Sequence, residues 1–157
     1  MEKVALDQPI PEFTLPAAGE QKITLSALRG KHVILYFYPK DSTPGCTLEG
    51  QAFRDLHPKF TREQAVVFGV SRDSIKSHER FKDKQGFPFE LLSDEDESLC
   101  TAFEVIKMKN MYGKQVRGIE RSTFLIDKAG VLRREWRKVK VDGHAETVLE
   151  AVKELNG

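Results

Sequence analysis

Six consecutive apolar or aromatic residues, Val33-Ile34-Leu35-Tyr36-Phe37-Tyr38, form the most apolar run of the chain. They show no polar–apolar alternation, so a strand made of them must be covered on both faces, as in a parallel sheet packed between layers. The segment that follows, Pro39-Lys40-Asp41-Ser42-Thr43-Pro44-Gly45-Cys46, leads into a helical pattern. Thr43 is a good N-cap residue, and Pro44 then falls at the first helical position, where a missing N–H costs nothing. A helix therefore leaves the end of a buried strand with Cys46 in its first turn. Free backbone N–H groups and the positive end of the helix dipole favour an anion there. An unperturbed thiol, with a pKa of about 8.5, is only a few per cent ionised at neutral pH, and a helix N-terminus is a setting that draws a cysteine toward the thiolate. Gly45 lets backbone and ligand approach closely. A cysteine that merely packs beneath a turn is the plainer alternative. Thr43 stands where the first cysteine of a C-x-x-C motif would be, which argues against a dithiol oxidoreductase.

A chain of 157 residues suits one domain, residues 1–157, with room for a real core. With 25 basic and 24 acidic residues and a formal net charge of +1, it offers no electrostatic case for nucleic acid or a membrane surface. No apolar stretch approaches the ~20 residues of a membrane span, and Met1-Glu2-Lys3 opens no signal peptide. Two cysteines do not make a secreted disulfide framework, so a reducing cytoplasm is the expected setting. Two cysteines and four histidines without paired ligand spacing make a zinc site weak, and neither metal nor cofactor is expected. There are no internal repeats, low-complexity segments or linkers.

Along the chain, Phe13-Thr14-Leu15 and Lys22-Ile23-Thr24-Leu25 suit an N-terminal hairpin, with Ser26–Gly30 a turn. The helix from about residue 44 places Leu48, Ala52, Leu56 and Phe60 at intervals of four, with Phe53 alongside, which reads as a core stripe. Pro58 is expected to kink or end that helix. Ala65–Val70 reads as a strand, joined to the first by a right-handed parallel crossover. Asp73 or Ser74 can cap a helix ending near Gly86, with Ile75 and Phe81 on a thin apolar face. Phe89–Leu92 is a short strand. Asp94-x-x-Glu97 suits a capping box, followed by Leu99, Cys100 and Phe103 on one face. Residues 104–120 are basic and irregular and read as a long surface loop with at most a short strand near Val105. Ser122–Ile126, the turn Asp127–Gly130 and Val131–Trp136 make a hairpin. Asp142 then caps a last helix that buries Val148, Leu149, Val152 and Leu155. The class is α/β, a central mixed sheet flanked by helices in a thioredoxin-like arrangement, with Pro39–Cys46 at the carboxyl end of a strand, where such sheets place their active sites.

Pro39-x-x-x-Thr43-x-x-Cys46 resembles the active-site signature of the peroxiredoxins. Phe37–Cys46 with Thr47 and Glu49, and Arg121-Ser122-Thr123-Phe124-Leu125-Ile126-Asp127 later, are similar to the bacterioferritin comigratory protein, or peroxiredoxin Q, branch. Gly69-Val70-Ser71-Arg72-Asp73-Ser74 and Leu92-Ser93-Asp94 also match, so the resemblance runs over nearly the whole chain in order. It implies a thiol-dependent peroxidase of antioxidant defence that reduces hydrogen peroxide and organic hydroperoxides through a sulfenic acid at Cys46. It further implies that Thr43 orients the peroxide through its hydroxyl, that Arg121 stabilises thiolate and transition state, that Pro39 walls the pocket against water, and that Glu49 orients Arg121. Tyr38 is expected to line the pocket, a simple core aromatic being an equal alternative. Taken singly, Arg121 and Glu49 read as ordinary surface residues.

Members of this branch often carry a second cysteine five positions after the first, where this chain has Gln51, or in the following helix near Ser77–Lys82, where it has none. Cys100 reads as a small buried core residue and is a poor candidate to resolve the sulfenic acid. A one-cysteine mechanism is therefore expected, with thioredoxin, glutaredoxin or glutathione as external reductant, in a chain that acts as a monomer. Because the pocket that shields Cys46 also hides it, the first helical turn must loosen for that reductant. A cysteine hydrolase would need a histidine base near the thiol, and His32, His57, His78 and His144 belong to no such signature. A non-catalytic thioredoxin-like or metal-binding module and a glutathione-peroxidase-like enzyme fit the cysteine frame less well.

Overall fold

The apolar run becomes the middle strand of a sheet. In the computed structural model, which describes residues 1–157, the chain runs β1 (Thr14–Pro16), β2 (Lys22–Thr24), a 3-10 turn (Leu25–Leu28), β3 (His32–Phe37), α1 (Pro44–Arg62), β4 (Ala65–Ser71), α2 (Ile75–Gln85), β5 (Glu90–Ser93), α3 (Ser98–Ala102), β6 (Ile106–Met111), β7 (Lys114–Ile119), β8 (Ser122–Ile126), β9 (Leu132–Trp136) and α4 (His144–Leu155). The central sheet has the order β5-β4-β3-β8-β9. β3 pairs in parallel with β4, and β4 with β5, whereas β3–β8 and β8–β9 are antiparallel. This is the mixed α/β sheet expected, with β3–α1–β4 as its crossover. The N-terminal hairpin also forms, with Leu15 opposite Ile23.

All six residues of β3 are buried, and the strand divides the core in two. Val33, Leu35 and Phe37 join Phe13, Leu99, Cys100, Phe103 and Phe124. Ile34, Tyr36 and Tyr38 join Cys46, Phe53, Phe60, Phe81 and Val148. Strand side chains alternate between faces, so α1, α2 and α4 cover one side of the sheet, and α3 with the N-terminal segment covers the other.

Several elements depart from the sequence pattern. The inward face of α1 is Cys46, Glu49, Gly50, Phe53 and Phe60, while Leu48 is 58% exposed. The periodicity of the apolar residues misplaces the face because two inward positions carry a carboxylate and a glycine. A Cβ on Gly50 would meet Phe87 Cζ at 2.3 Å, so the ring of Phe87 occupies the side-chain space there. Pro58 does not end the helix, which continues to Arg62. Interior proline costs a helix about 3 kcal/mol. Full burial of Phe60, worth about 1.5–3 kcal/mol, and the packing of Leu56 against the same core are of comparable size.

Residues 104–120 are not an irregular loop. β6 and β7 form a separate two-stranded hairpin closed by Tyr112 and Gly113, with φ of +52° and +81°, the positive-φ pair of a tight primed turn. Its side chains are mostly exposed, which leaves no apolar alternation to read. Asp94 caps α3 by accepting from the N–H groups of Leu99 and Cys100 at 3.1 and 2.7 Å. Glu97 does not complete a capping box, because its carboxylate binds Arg72 and Arg117. Gly143, not Asp142, is the N-cap of α4.

Candidate active site

Cys46 is the third residue of α1 and is 2% exposed. Thr43 is the N-cap residue, as expected, but its hydroxyl does not cap. It donates instead to the Lys40 carbonyl at 2.8 Å and ties the turn to itself, which leaves the first-turn N–H groups open to an incoming acceptor. Pro39 is half-buried in the same turn.

Two residues complete the group, Arg121 from far along the chain and Glu49 from the next turn of α1. Arg121, immediately before β8, lies with Nη2 3.5 Å from Cys46 Sγ and donates from Nη1 to Glu49 Oε1 at 2.6 Å. Glu49 stands one helical turn beyond Cys46 on the same face and is 1% exposed. The sequence-predicted Cys46, Arg121 and Glu49 thus form one chain of contacts. Gly45 borders it closely, since a Cβ there would lie 3.1 Å from Arg121 Nη2. Burial pushes the Glu49 carboxyl up to about 7, against the pull of Arg121. Burial also works against the Arg121 charge, but Glu49 and Cys46 outweigh it and raise the guanidinium further. Arg121 is therefore the fixed charge of the site, and Glu49 the group that can change.

Tyr38 is a buried aromatic tied to the turn. Its ring is buried on the Cys46 side of the sheet, but its hydroxyl donates to Asp41 Oδ1 at 2.6 Å, so it is committed to the turn and not to the thiol. Asp41 and His78 form a buried pair beneath the turn. The sequence reading missed it; the available signal was a histidine on the same helical face as Phe81. Of five buried side-chain polar atoms without a hydrogen-bond partner, two are Glu49 Oε2 and Tyr36 Oη. Orphaned groups of this kind cost stability and gather at functional sites.

The remaining candidates lie elsewhere. Cys100 is fully buried in the core on the opposite face of the sheet from Cys46. Burial, with Asp94 beside it, holds its thiol far above the usual range. Gln51 donates to Gln85 Oε1 at 2.9 Å and so links α1 to α2. None of the four histidines hydrogen-bonds to Cys46. His144 bonds to Thr123 Oγ1 at 2.8 Å, and burial, aided by Arg121, depresses it to about 4, so it is neutral and serves the core.

A helix N-terminus presenting a buried sulfur to a buffered guanidinium suits attack on a small electrophile. The AhpC/TSA family model matches residues 6–135. The chain belongs to this family, in its Bcp/PrxQ peroxiredoxin branch. It is 56% identical over 155 residues to the peroxiredoxin Bcp of Xanthomonas campestris pv. campestris, covering 98% of this chain and 97% of that one. It is 47% identical over 153 residues to the Bcp of Bacillus subtilis, covering 98% of each. A crystal structure of a Xylella fastidiosa PrxQ mutant superposes over 100% of both chains with a TM-score of 0.93 at 46% identity. Structures of X. campestris bacterioferritin comigratory protein, described as trapped intermediate and ligand complexes bearing on alkyl peroxide reduction, superpose with a TM-score of 0.88 at 56% identity, covering 92% of each chain. The peroxiredoxin fold is the thioredoxin-like one, and its activity is that of a thiol-dependent peroxidase. No helix of this peroxiredoxin is long and apolar enough to cross a membrane.

Proposed function

We propose that Cys46 is the peroxidatic cysteine and that the enzyme completes its cycle with this one sulfur. The Cys46 thiolate donates an electron pair to the nearer oxygen of a hydroperoxide and the O–O bond breaks. Sulfur is oxidised to sulfenic acid, while the leaving oxygen is reduced and departs, once protonated, as water or an alcohol. Arg121 stabilises the thiolate and the charge that develops on the oxygens. Glu49 orients Arg121, Thr43 positions the peroxide, and Pro39 helps to exclude water. The carrying observation is Arg121 Nη2 at 3.5 Å from the buried Cys46 Sγ, with Nη1 held by Glu49. Hydrogen peroxide and alkyl hydroperoxides are the substrates; the alkyl peroxide reduction attributed to the X. campestris relative supports the second.

An external thiol, from thioredoxin, glutaredoxin or glutathione, then attacks the sulfenic sulfur, forming a mixed disulfide as the oxygen leaves as water, and a second thiol reduces that disulfide to return the Cys46 thiol. The reading is supported by Gln51 standing where a nearby second cysteine could be and by Cys100 lying across the sheet with a suppressed thiol. The chain acts as a single-domain monomer in a reducing cytoplasm.

The test is a thiol count by intact mass on denatured, alkylated protein after one equivalent of hydrogen peroxide. Loss of one thiol, with a trappable sulfenic acid at Cys46, is the expected result. Loss of both thiols as an intramolecular link would overturn the one-cysteine cycle, and an unchanged Cys46 would overturn the peroxidatic assignment.

A further inference from the structure

Beneath the active-site turn lies a polar group that the peroxidase chemistry does not use. Asp41 and His78 are 5% and 0% exposed. His78 Nδ1 stands 2.7 Å from Asp41 Oδ2, and His78 Nε2 stands 3.0 Å from the Leu92 carbonyl. A carbonyl only accepts, so Nε2 carries a proton. The Nδ1–Oδ2 contact needs a second proton, because two lone pairs at that separation would repel. The pair is therefore joined by a buried hydrogen bond, with one proton between Nδ1 and Oδ2.

The element ends near the turn converge on Asp41 and on Asp73, which is bonded to it. Tyr38, from the end of β3, donates to Oδ1 at 2.6 Å, and Ser77 of α2 donates to Oδ2 at 2.8 Å. The Asp41 N–H donates to Asp73 Oδ2 at 3.0 Å. Asp73 in turn accepts from Ser71 at the end of β4, and its carbonyl accepts from Ser93 at the end of β5. Beyond Asp41, Ser42 adopts a φ of +62°, a conformation that a non-glycine residue keeps only where its surroundings hold it. Thr43 and the first turn of α1 follow at once. Cys46 is 2% exposed, so a bulky thiol cannot reach it while this turn stays in place.

We propose that the Asp41–His78 pair is a positioning device that holds the Ser42–Cys46 turn in its peroxide-reactive form, and that its release exposes the oxidised sulfur to the external thiol. The proposal rests on the one-cysteine peroxidase reading above. His78 touches neither substrate nor sulfur and acts through Asp41. The same bond accelerates the first half-reaction and restrains the second, which a merely structural histidine would not do.

The experiment compares wild-type protein with His78→Leu, which removes both bonds, and His78→Asn, which keeps a donor for Asp41. Three quantities are read: the single-turnover rate of Cys46 oxidation by hydrogen peroxide, the rate at which 5-thio-2-nitrobenzoate captures the sulfenic acid, and amide exchange along the chain. In His78→Leu, oxidation should slow about tenfold or more and capture should quicken about threefold or more. Exchange should rise in residues 42–47 and stay unchanged in β3 and β4. His78→Asn should lie within about threefold of wild type in both rates. Where His78→Leu does not fold, Asp41→Asn takes its place, with the same signs and smaller changes. Oxidation within twofold of wild type, both rates falling together, or exchange rising evenly through the sheet would each overturn the proposal. If wild-type protein consumed no peroxide, the peroxidase reading would fail, and the local exchange contrast would still decide whether the pair holds the turn.

Discussion

Arg121 bridges Glu49 and Cys46: one nitrogen of its guanidinium is 2.6 Å from Glu49 Oε1 and the other is 3.5 Å from Cys46 Sγ. The carboxylate fixes the plane of the fork, so the second nitrogen is aimed before any substrate arrives. Aimed, desolvated donors of this kind contribute about 10²–10³-fold to a rate.

Arg121→Met should accordingly lower the second-order rate with hydrogen peroxide by about 10²-fold or more. Arg121→Lys should recover only part of the loss, because an ammonium cannot serve Glu49 and Cys46 in one plane. Single-turnover kinetics at fixed pH measures both. A loss under fivefold in Arg121→Met would remove Arg121 from the transition state.

Glu49 makes stability depend on pH. Its carboxyl is raised from 4.5 to about 7, so the folded state favours the protonated form more than the unfolded chain does. Stability from this residue is complete below about 4.5 and is lost as pH rises through 7. The shift corresponds to roughly 3 kcal/mol. Glu49→Gln should therefore gain in melting temperature over wild type as pH rises from 4.5 to 7.5, with no further gain above. A constant difference across that range would show that Glu49 does not titrate there.

Gly50→Ala should destabilise the fold although alanine is the better helix former by about 1 kcal/mol. The added Cβ would lie 2.3 Å from Phe87 Cζ, inside a stacked and edge-packed group with Phe81 and Phe89. Overpacking of this kind costs about 1–3 kcal/mol, and a drop of several degrees by calorimetry is the expected outcome.

Cys100→Ala should leave peroxide turnover with an external thiol within about twofold of wild type, while small-cavity formation lowers stability by about 1 kcal/mol. A fall in turnover without a matching fall in melting temperature would return Cys100 to the catalytic cycle.

The parts of this molecule that were legible in the sequence are those fixed by local rules. An unbroken apolar run marked β3, Thr43-Pro44 marked the start of α1, and Asp127–Gly130 marked the turn into β9. The Cys46–Glu49–Arg121 group was reached only through family resemblance, because Arg121 gains meaning from a strand pairing that no local pattern encodes. The face of α1 was misjudged at Leu48 because inward positions were given to a carboxylate and a glycine. The β6–β7 hairpin escaped notice because exposed strands need no alternation. The Asp41–His78 pair joins a loop to a helix across the sheet edge, and each residue alone looks like surface.

The placement of the two sulfurs on opposite faces of one sheet has a consequence for timing. A wall of five strands separates them, so in the one-cysteine cycle proposed above oxidation is not stored as an internal link and discharged later. Each oxidised molecule waits for a collision. The interval between turnovers is then set by how much reductant the cell supplies, and the fraction of oxidised protein at any moment becomes a running measure of that supply against the peroxide load.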